Sequence, residues 1–259
     1  MFTQQLVAVL CLALAASASP NPSKRRAAAR AASATFPDPP TTISLDEPMT
    51  IKAGESFTPD EEYTRYDRGV SCGGQSEGGD KDAVFILEEG ASISKVVIGE
   101  DQSEGIHCLG ACTINDVWFE AVCEDAITIK QESGTSTISG GGAKGAEDKV
   151  VQHNGGGTVR IENYYVEDFG KLYRSCGNCD EMYERHVEIS GVTAVSGKVL
   201  AGINSNYGDT ATFDTSSATD VKTICQEFEG NDTGDEPESI SKGPSDFCIY
   251  EEGVDVTEA

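Results

Sequence analysis

The chain has 259 residues, 19 of them basic and 44 acidic, for a formal charge of -25. That length supports one sizeable domain with a real core, and that charge excludes nucleic acid as a partner, because phosphate binding needs a basic surface. An acidic substrate is compatible only where the few cations gather in one place or a metal ion inverts the local field.

From the N-terminus, Leu6 to Ala16 is an apolar run too short to span a bilayer, and Ala16-Ser17-Ala18 fits an A-x-A cleavage pattern. Residues 1–18 therefore read as a signal peptide, although no Lys or Arg precedes the apolar run. The mature protein reads as secreted, extracellular and without a membrane span. Lys24-Arg25-Arg26 reads equally as a dibasic processing site or as a short basic linker, within an Ala-, Ser- and Pro-rich leader over 19–40. Cys11 leaves with the signal. The other eight cysteines are an even set in a secreted chain, which points to disulfides. Proximity pairs Cys176 with Cys179 and Cys225 with Cys248. Zinc held by His107, Cys108 and Cys112, or by Cys176 and Cys179, suits an extracellular protein poorly.

Strand-like sequence covers 43–57, and 66–82 is rich in Gly and charge and reads as a loop. A repeat follows. Apolar strands open at Ile93, Ile114, Ile138, Ile161 and Ile189, at intervals of 21, 24, 23 and 28 residues. A second track opens at Glu104, Asp125, Asp148, Gly170 and Gly197, at intervals of 21, 23, 22 and 27. No helix-length pattern separates the strands, so a period in this range predicts an all-β solenoid, a parallel β-helix. Neighbouring coils lie about 4.8 Å apart, so equivalent positions form columns. On the second track, Ile106, Ile127, Val150, Leu172 and Val199 are expected to point inward. Gly105, Ala126, Lys149, Lys171 and Lys198 are expected to face outward, with Glu104, Asp125 and Asp148 at the strand openings. Alternation puts Lys130 on the outer face with Lys149 and Lys171, and puts Arg174 on the inward phase. Trp118 reads as core, His107 and His153 as satisfied strand histidines, and Asn154 to Gly157 as a turn.

Stacked carboxylates repel unless a cation holds them. Ca2+ takes 6–8 oxygen ligands in irregular geometry, and Glu104, Glu124 and Asp125 are the candidates; each alone is as readily a strand cap or surface charge. Lys149, Lys171 and Arg174 follow at coil spacing, where they can abstract a proton, bind carboxylates, or simply neutralise the acids in an ion-pair ladder. That last reading competes most strongly for Lys130 and Lys198.

The segments G-E-D-Q-S-E-G-I-H-C, N-D-V-W-F-E-A-V-C-E-D-A-I-T-I-K, D-K-V-V-Q-H-N-G-G-G-T-V and G-K-L-Y-R-S-C-G-N-C closely resemble fungal pectate lyases of polysaccharide lyase family 3, over roughly 43–248. The resemblance implies a right-handed parallel β-helix and calcium-dependent eliminative cleavage of (1→4)-α-D-galacturonan to oligosaccharides with unsaturated non-reducing ends. It implies that Glu104, Glu124 and Asp125 hold Ca2+ and that Lys149 is the general base, with Lys130, Lys171 and Arg174 on the substrate. Relatives commonly carry Asp where this chain has Glu104, and W-W-E-D where it has Trp118-Phe119-Glu120-Ala121. An acid from the 77–82 loop is a further participant by alignment. A lysine base predicts an alkaline optimum. Two other readings stand beside this one: a β-helical galacturonan hydrolase, and a non-catalytic pectate-binding or elicitor protein. The chain is expected to act as a monomer on pectate, through a β-helix domain over 41–225. Residues 226–259 are expected to be an acidic, loop-like tail carrying a glycosylation acceptor at Asn231.

Overall fold

The computed structural model of the chain describes residues 35–258. The expected signal peptide, and the leader as far as residue 34, lie outside the described residues. The rest is a parallel β-solenoid of about 8 turns. Among the described residues, no helix is long and apolar enough to cross a membrane.

Each coil contributes a strand to each of three faces. The first face stacks Ala83–Leu87, Glu104–Cys108 and Asp125–Ile129, followed by 149–153 and 171–175. The second carries the isoleucine repeat: Ile93, Ile114, Ile138, Ile161 and Ile189 are direct neighbours, with Phe213 next. The third stacks Ile98, Phe119, Ala143, Val166, Ala194 and Ala218. These columns point into one continuous apolar core. Their β-branched and small members fill the narrow interior, where stacked side chains of like shape interlock.

The corners are as regular as the faces. Tyr63, Lys95, Asp116, Gly140, Asn163, Gly191 and Thr215 all have φ between 52° and 67°. The strand registers place them at one corner of successive coils, between the second and third faces. A left-handed residue there turns the chain without leaving the plane of the coil. Gly145, Asp168, Ser196 and Asp220 do the same where the third face meets the first.

One departure from the expected register matters for function. Ala146 faces Phe169 and Lys149 faces Lys171, so the segment between Ala146 and Lys149 carries one extra residue, a β-bulge. Against the preceding coil nothing is inserted: Val122 faces Ala146 and Asp125 faces Lys149, so Lys149, and not Asp148 as expected, stands beside Asp125. Val151 and Tyr173, not Val150 and Leu172, therefore stack under Ile106 and Ile127. Lys149 and Lys171 leave the expected Gly105–Ala126 column and enter the column of Glu104 and Asp125. Val199, not Lys198, follows them, and Lys198 is exposed on the surface.

Residues 226–258 are not the loop-like tail expected for 226–259. The strand Ser216–Glu229 runs into them, and Glu238–Lys242 folds back antiparallel on it. Cys248–Ile249 continues the second face and Val256–Glu258 the third. Buried Cys248 and Val256 show why: both complete the last coil's core.

Four disulfides join Cys72–Cys123, Cys108–Cys112, Cys176–Cys179 and Cys225–Cys248. The last two are the pairs expected from proximity, and all eight thiols are used, which removes the zinc reading. Trp118 is buried, but on the outside of the third face: it packs with Val97 and Tyr165 under Phe36, apart from the main core. Asn154 to Gly157 is a turn, pinned by Arg185, which donates to the carbonyls of Asn154 and Gly155.

Candidate active site

The site lies where the first-face strands begin, just past the third-to-first corner. Three successive coils deliver Glu104, then Glu124 and Asp125, then Lys149. All four are buried, which is unusual for charged side chains. The loop over 68–79 brings a fourth acid: carboxylate oxygens of Glu77, Glu104 and Glu124 lie within 4.8 Å of one another. The Gly78 amide donates to Glu104 Oε1 at 2.8 Å, and a Cβ at Gly78 would lie 2.7 Å from that same oxygen, so this contact requires glycine.

Two linked clusters surround the acids. In one, Lys149 Nζ lies 2.6 Å from Asp148 Oδ2, 3.2 Å from Glu124 Oε1 and 3.5 Å from Asp125 Oδ1, while Lys171 reaches Asp148 Oδ1 at 2.8 Å. In the other, Lys130 and His107 Nδ1 share Asp80 Oδ1, at 2.5 and 2.8 Å, and His107 Nε2 lies 3.3 Å from Glu104 Oε2. His107 is thus satisfied, as expected, and ties the clusters together. Lys130 sits five residues past Asp125 and joins through Asp80, not through the Lys149 column as alternation suggested.

Arg174 is not turned into the core. It shares the outward column of His107, Thr128 and Gln152. Its guanidinium donates to Asn204 Oδ1 at 2.9 Å and lies over the Phe228 ring, 4.1 Å from the centroid. Burial brings it down to about 10, against the pull of Asp209.

The electrostatics show a site built for a further positive charge. Burial, reinforced by Glu124 and Glu104 against Lys149, pushes the Asp125 carboxyl up to about 10. Burial and then Glu124 raise Glu77 in the same way. Glu124 Oε2 and Asp125 Oδ1 accept no hydrogen bond although both are buried. Burial acts to lower Lys149, but Asp125, Asp148 and Glu124 outweigh it and drive the ammonium well above its ordinary value. With the carboxylates uncompensated, Lys149 keeps its proton. Two buried oxygens without donors on Glu124 and Asp125, beside a Glu77–Glu104–Glu124 cluster within 4.8 Å, match a hard cation that takes oxygen at roughly 2.3–2.6 Å. Asp148 stands apart from this set. Burial works against it, yet hydrogen bonds from Lys149 and Lys171 hold it below the usual carboxylate range.

Spacing alone brings out Glu104, Glu124, Asp125 and the lysines. It does not bring out Asp80 or Glu77 by residue: a loop without period delivers them, and only their acidity beside a Gly-rich stretch signals them. Glu120 belongs elsewhere, paired to Arg65 at 2.7 Å on the third face.

A family model described as pectate lyase matches residues 33–235. The chain is 61% identical over 222 residues to pectate lyase H of Emericella nidulans, covering 84% of each chain. It is 61% identical over 217 residues to a probable pectate lyase D of Aspergillus fumigatus, covering 83% of this chain and 89% of that one. Among solved structures it resembles the catalytic domain of pectate lyase PelI from Erwinia chrysanthemi, with a TM-score of 0.68 at 31% identity, over 81% of this chain and 100% of that one. It also resembles PelI in complex with tetragalacturonic acid, with a TM-score of 0.68 at 28% identity, over 85% of this chain and 71% of that one.

Proposed function

Since this chain is a member of the pectate lyase family, we propose that it cleaves (1→4)-α-D-galacturonan by calcium-dependent elimination, as a secreted enzyme acting on pectin of the plant cell wall. The observation that carries this reading is the column itself: buried acids with oxygens that accept no hydrogen bond run directly into two lysines, one coil apart.

Glu104, Glu124 and Asp125 would hold the cation, with Glu77 above them. Bound there, Ca2+ supplies a positive field that acidifies the C5–H of the adjoining uronate and offsets the hold of the acids on the Lys149 proton. Lys149 is then the base for C5. It is fixed in place by Asp148 and mostly shielded from solvent, with 10% of its side chain exposed, so its proton transfer does not compete with bulk water. Lys171 and Lys130 are more open, at 27% and 31%, and suit salt links to substrate carboxylates. Arg174, held by Asn204 and Phe228, presents a guanidinium of fixed direction toward the same face, where it complements charge developing on the uronate. Loss of the C4 oxygen completes an elimination. No water enters, so no pair of carboxylates spaced for hydrolysis is required.

The test follows unsaturated product from polygalacturonate, with and without EDTA, for wild type and Lys149→Ala. Product absorbing near ~235 nm, as expected for a conjugated uronide, should vanish on chelation. Lys149→Ala should lower kcat by about 10²- to 10⁴-fold with calcium binding retained. Saturated products made in EDTA would support the hydrolase reading, and pectate binding without turnover the non-catalytic one.

A further inference from the structure

The loop over 68–79 carries Glu77 to the acids, yet nothing apolar holds it there. Residues 71–77 are all exposed, and Gly73, Gly74, Gly78 and Gly79 lie in or beside them. Such a stretch is entropically costly to order. Besides the Gly78 amide on Glu104 and the backbone bonds of Arg68 and Val70 to Asp101, its fixed points are few. Arg68 donates to the carbonyls of Leu45, Asp46, Lys81 and Ala83 and so pins the two ends of the loop. In the middle, Cys72 is bonded to Cys123, and Gln75 Nε2 donates to the Cys123 carbonyl at 2.6 Å. Cys123 immediately precedes Glu124 and Asp125. Both mid-loop tethers therefore converge on the residue next to two of the candidate ligands. The cross-link spans a sequence separation of 51 residues yet joins a mobile-composition loop to the one strand edge where its acid is wanted.

We infer that the Cys72–Cys123 disulfide is a positioning cross-link for the cation site: it holds Glu77 over Glu104 and Glu124, and so sets affinity for a divalent cation. This rests on the calcium reading of the site. The disulfides Cys108–Cys112 and Cys176–Cys179 close hairpin-length segments and Cys225–Cys248 ties the last coil, so none of them reaches this loop.

Calcium binding is measured by titration calorimetry on the full-length mature protein, for wild type, Cys72→Ser, Glu77→Gln and the double variant. Circular dichroism and melting in EDTA serve as the folding control. Cys72→Ser and Glu77→Gln are each expected to weaken calcium binding by roughly 10- to 100-fold, the range for groups that orient or complete a metal site. The double variant should be no weaker than Glu77→Gln alone, because the cross-link acts through that carboxylate. In EDTA, trypsin should cut Cys72→Ser at Lys81, at the foot of the loop, faster than it cuts wild type. An unchanged Kd in Cys72→Ser overturns the inference, as do losses that add in the double variant. Should Cys72→Ser not fold, Cys72→Ala/Cys123→Ala, which leaves no free thiol to mispair, decides in its place: a weaker Kd supports the inference and an equal one overturns it. If the wild type binds no calcium, the cation reading fails and takes this inference with it. Binding by wild type with no change in the variants removes this inference only.

Discussion

His153 lies sealed inside the solenoid. Its Nε2 donates to the Gly156 carbonyl at 3.1 Å, which leaves Nδ1 to accept from Tyr173 Oη at 2.8 Å. Burial, then the charge of Arg185, brings its pKa down to about 3 from an ordinary 6.5. A group depressed in the folded state stabilises fully above its unfolded value, and that contribution is lost as pH falls toward the folded one. The window here runs from pH 6.5 down to about 3. His153→Gln stays neutral throughout. It is expected to be less stable than wild type at pH 7 by about 1–3 kcal/mol, the cost of disturbed buried hydrogen bonds. Its melting temperature should also fall less steeply across that window. Melting curves against pH for both proteins check this, and equal slopes would show that His153 titrates freely when folded. That His153 is a satisfied structural residue was legible from its place in a strand. That its partners would be a tyrosine one coil away and a glycine carbonyl in the adjoining turn was not, because both depend on how the coils stack.

At the level of the strand, register decides the chemistry. Asp125 faces Lys149, and the bulge after Ala146 lets Lys171 follow in the same column. A shift of one residue would turn either lysine the other way, since it exchanges the two sides of a strand. Deleting Glu147, an exposed bulge residue, should therefore turn Lys149 out of the site while the three faces persist. The expected result is a loss of lyase rate on the order of 10²-fold or more, as for a displaced catalytic group, with a circular dichroism spectrum like wild type. Rate measurements at saturating calcium, alongside spectra, test it; retained activity would mean that the register re-forms around the deletion. The isoleucine track predicted the second face coil by coil, because like residues repeat there with nothing inserted. The acid track did not predict its own register, because counting from acid to acid put Asp148 beside Asp125, where Lys149 stands. The corner residues were invisible for a different reason. Tyr63, Lys95, Asp116, Asn163 and Thr215 share a backbone conformation but no side-chain chemistry.

For the whole molecule, the charge of -25 opposes the approach of a polyanion, while a handful of lysines draw it in locally. The two act over different distances. Salt screens the distant field first, with a Debye length of about 10 Å at 0.1 M, and close contacts at the lysines later. At fixed saturating calcium, kcat/KM on polygalacturonate should therefore rise by a few-fold from about 0.01 to about 0.1 M NaCl and fall again at higher salt. Initial rates across that series test the expectation, and a steady fall from the lowest salt would show that the lysines govern encounter from the start.

The reversed strand Glu238–Lys242 has a further consequence. A stack of parallel strands ends in a row of open backbone donors and acceptors, and such a row invites the next chain to continue it. Here the row on the first face meets a strand running the other way, fully exposed and bearing Glu238 and Lys242 at its two ends. A second solenoid arriving in the same direction finds neither the polarity nor the neutral edge it would need to extend the pile. On this face, what the last coil offers to anything that would follow it is a reversed and charged border, unlike the border on which each earlier coil was laid.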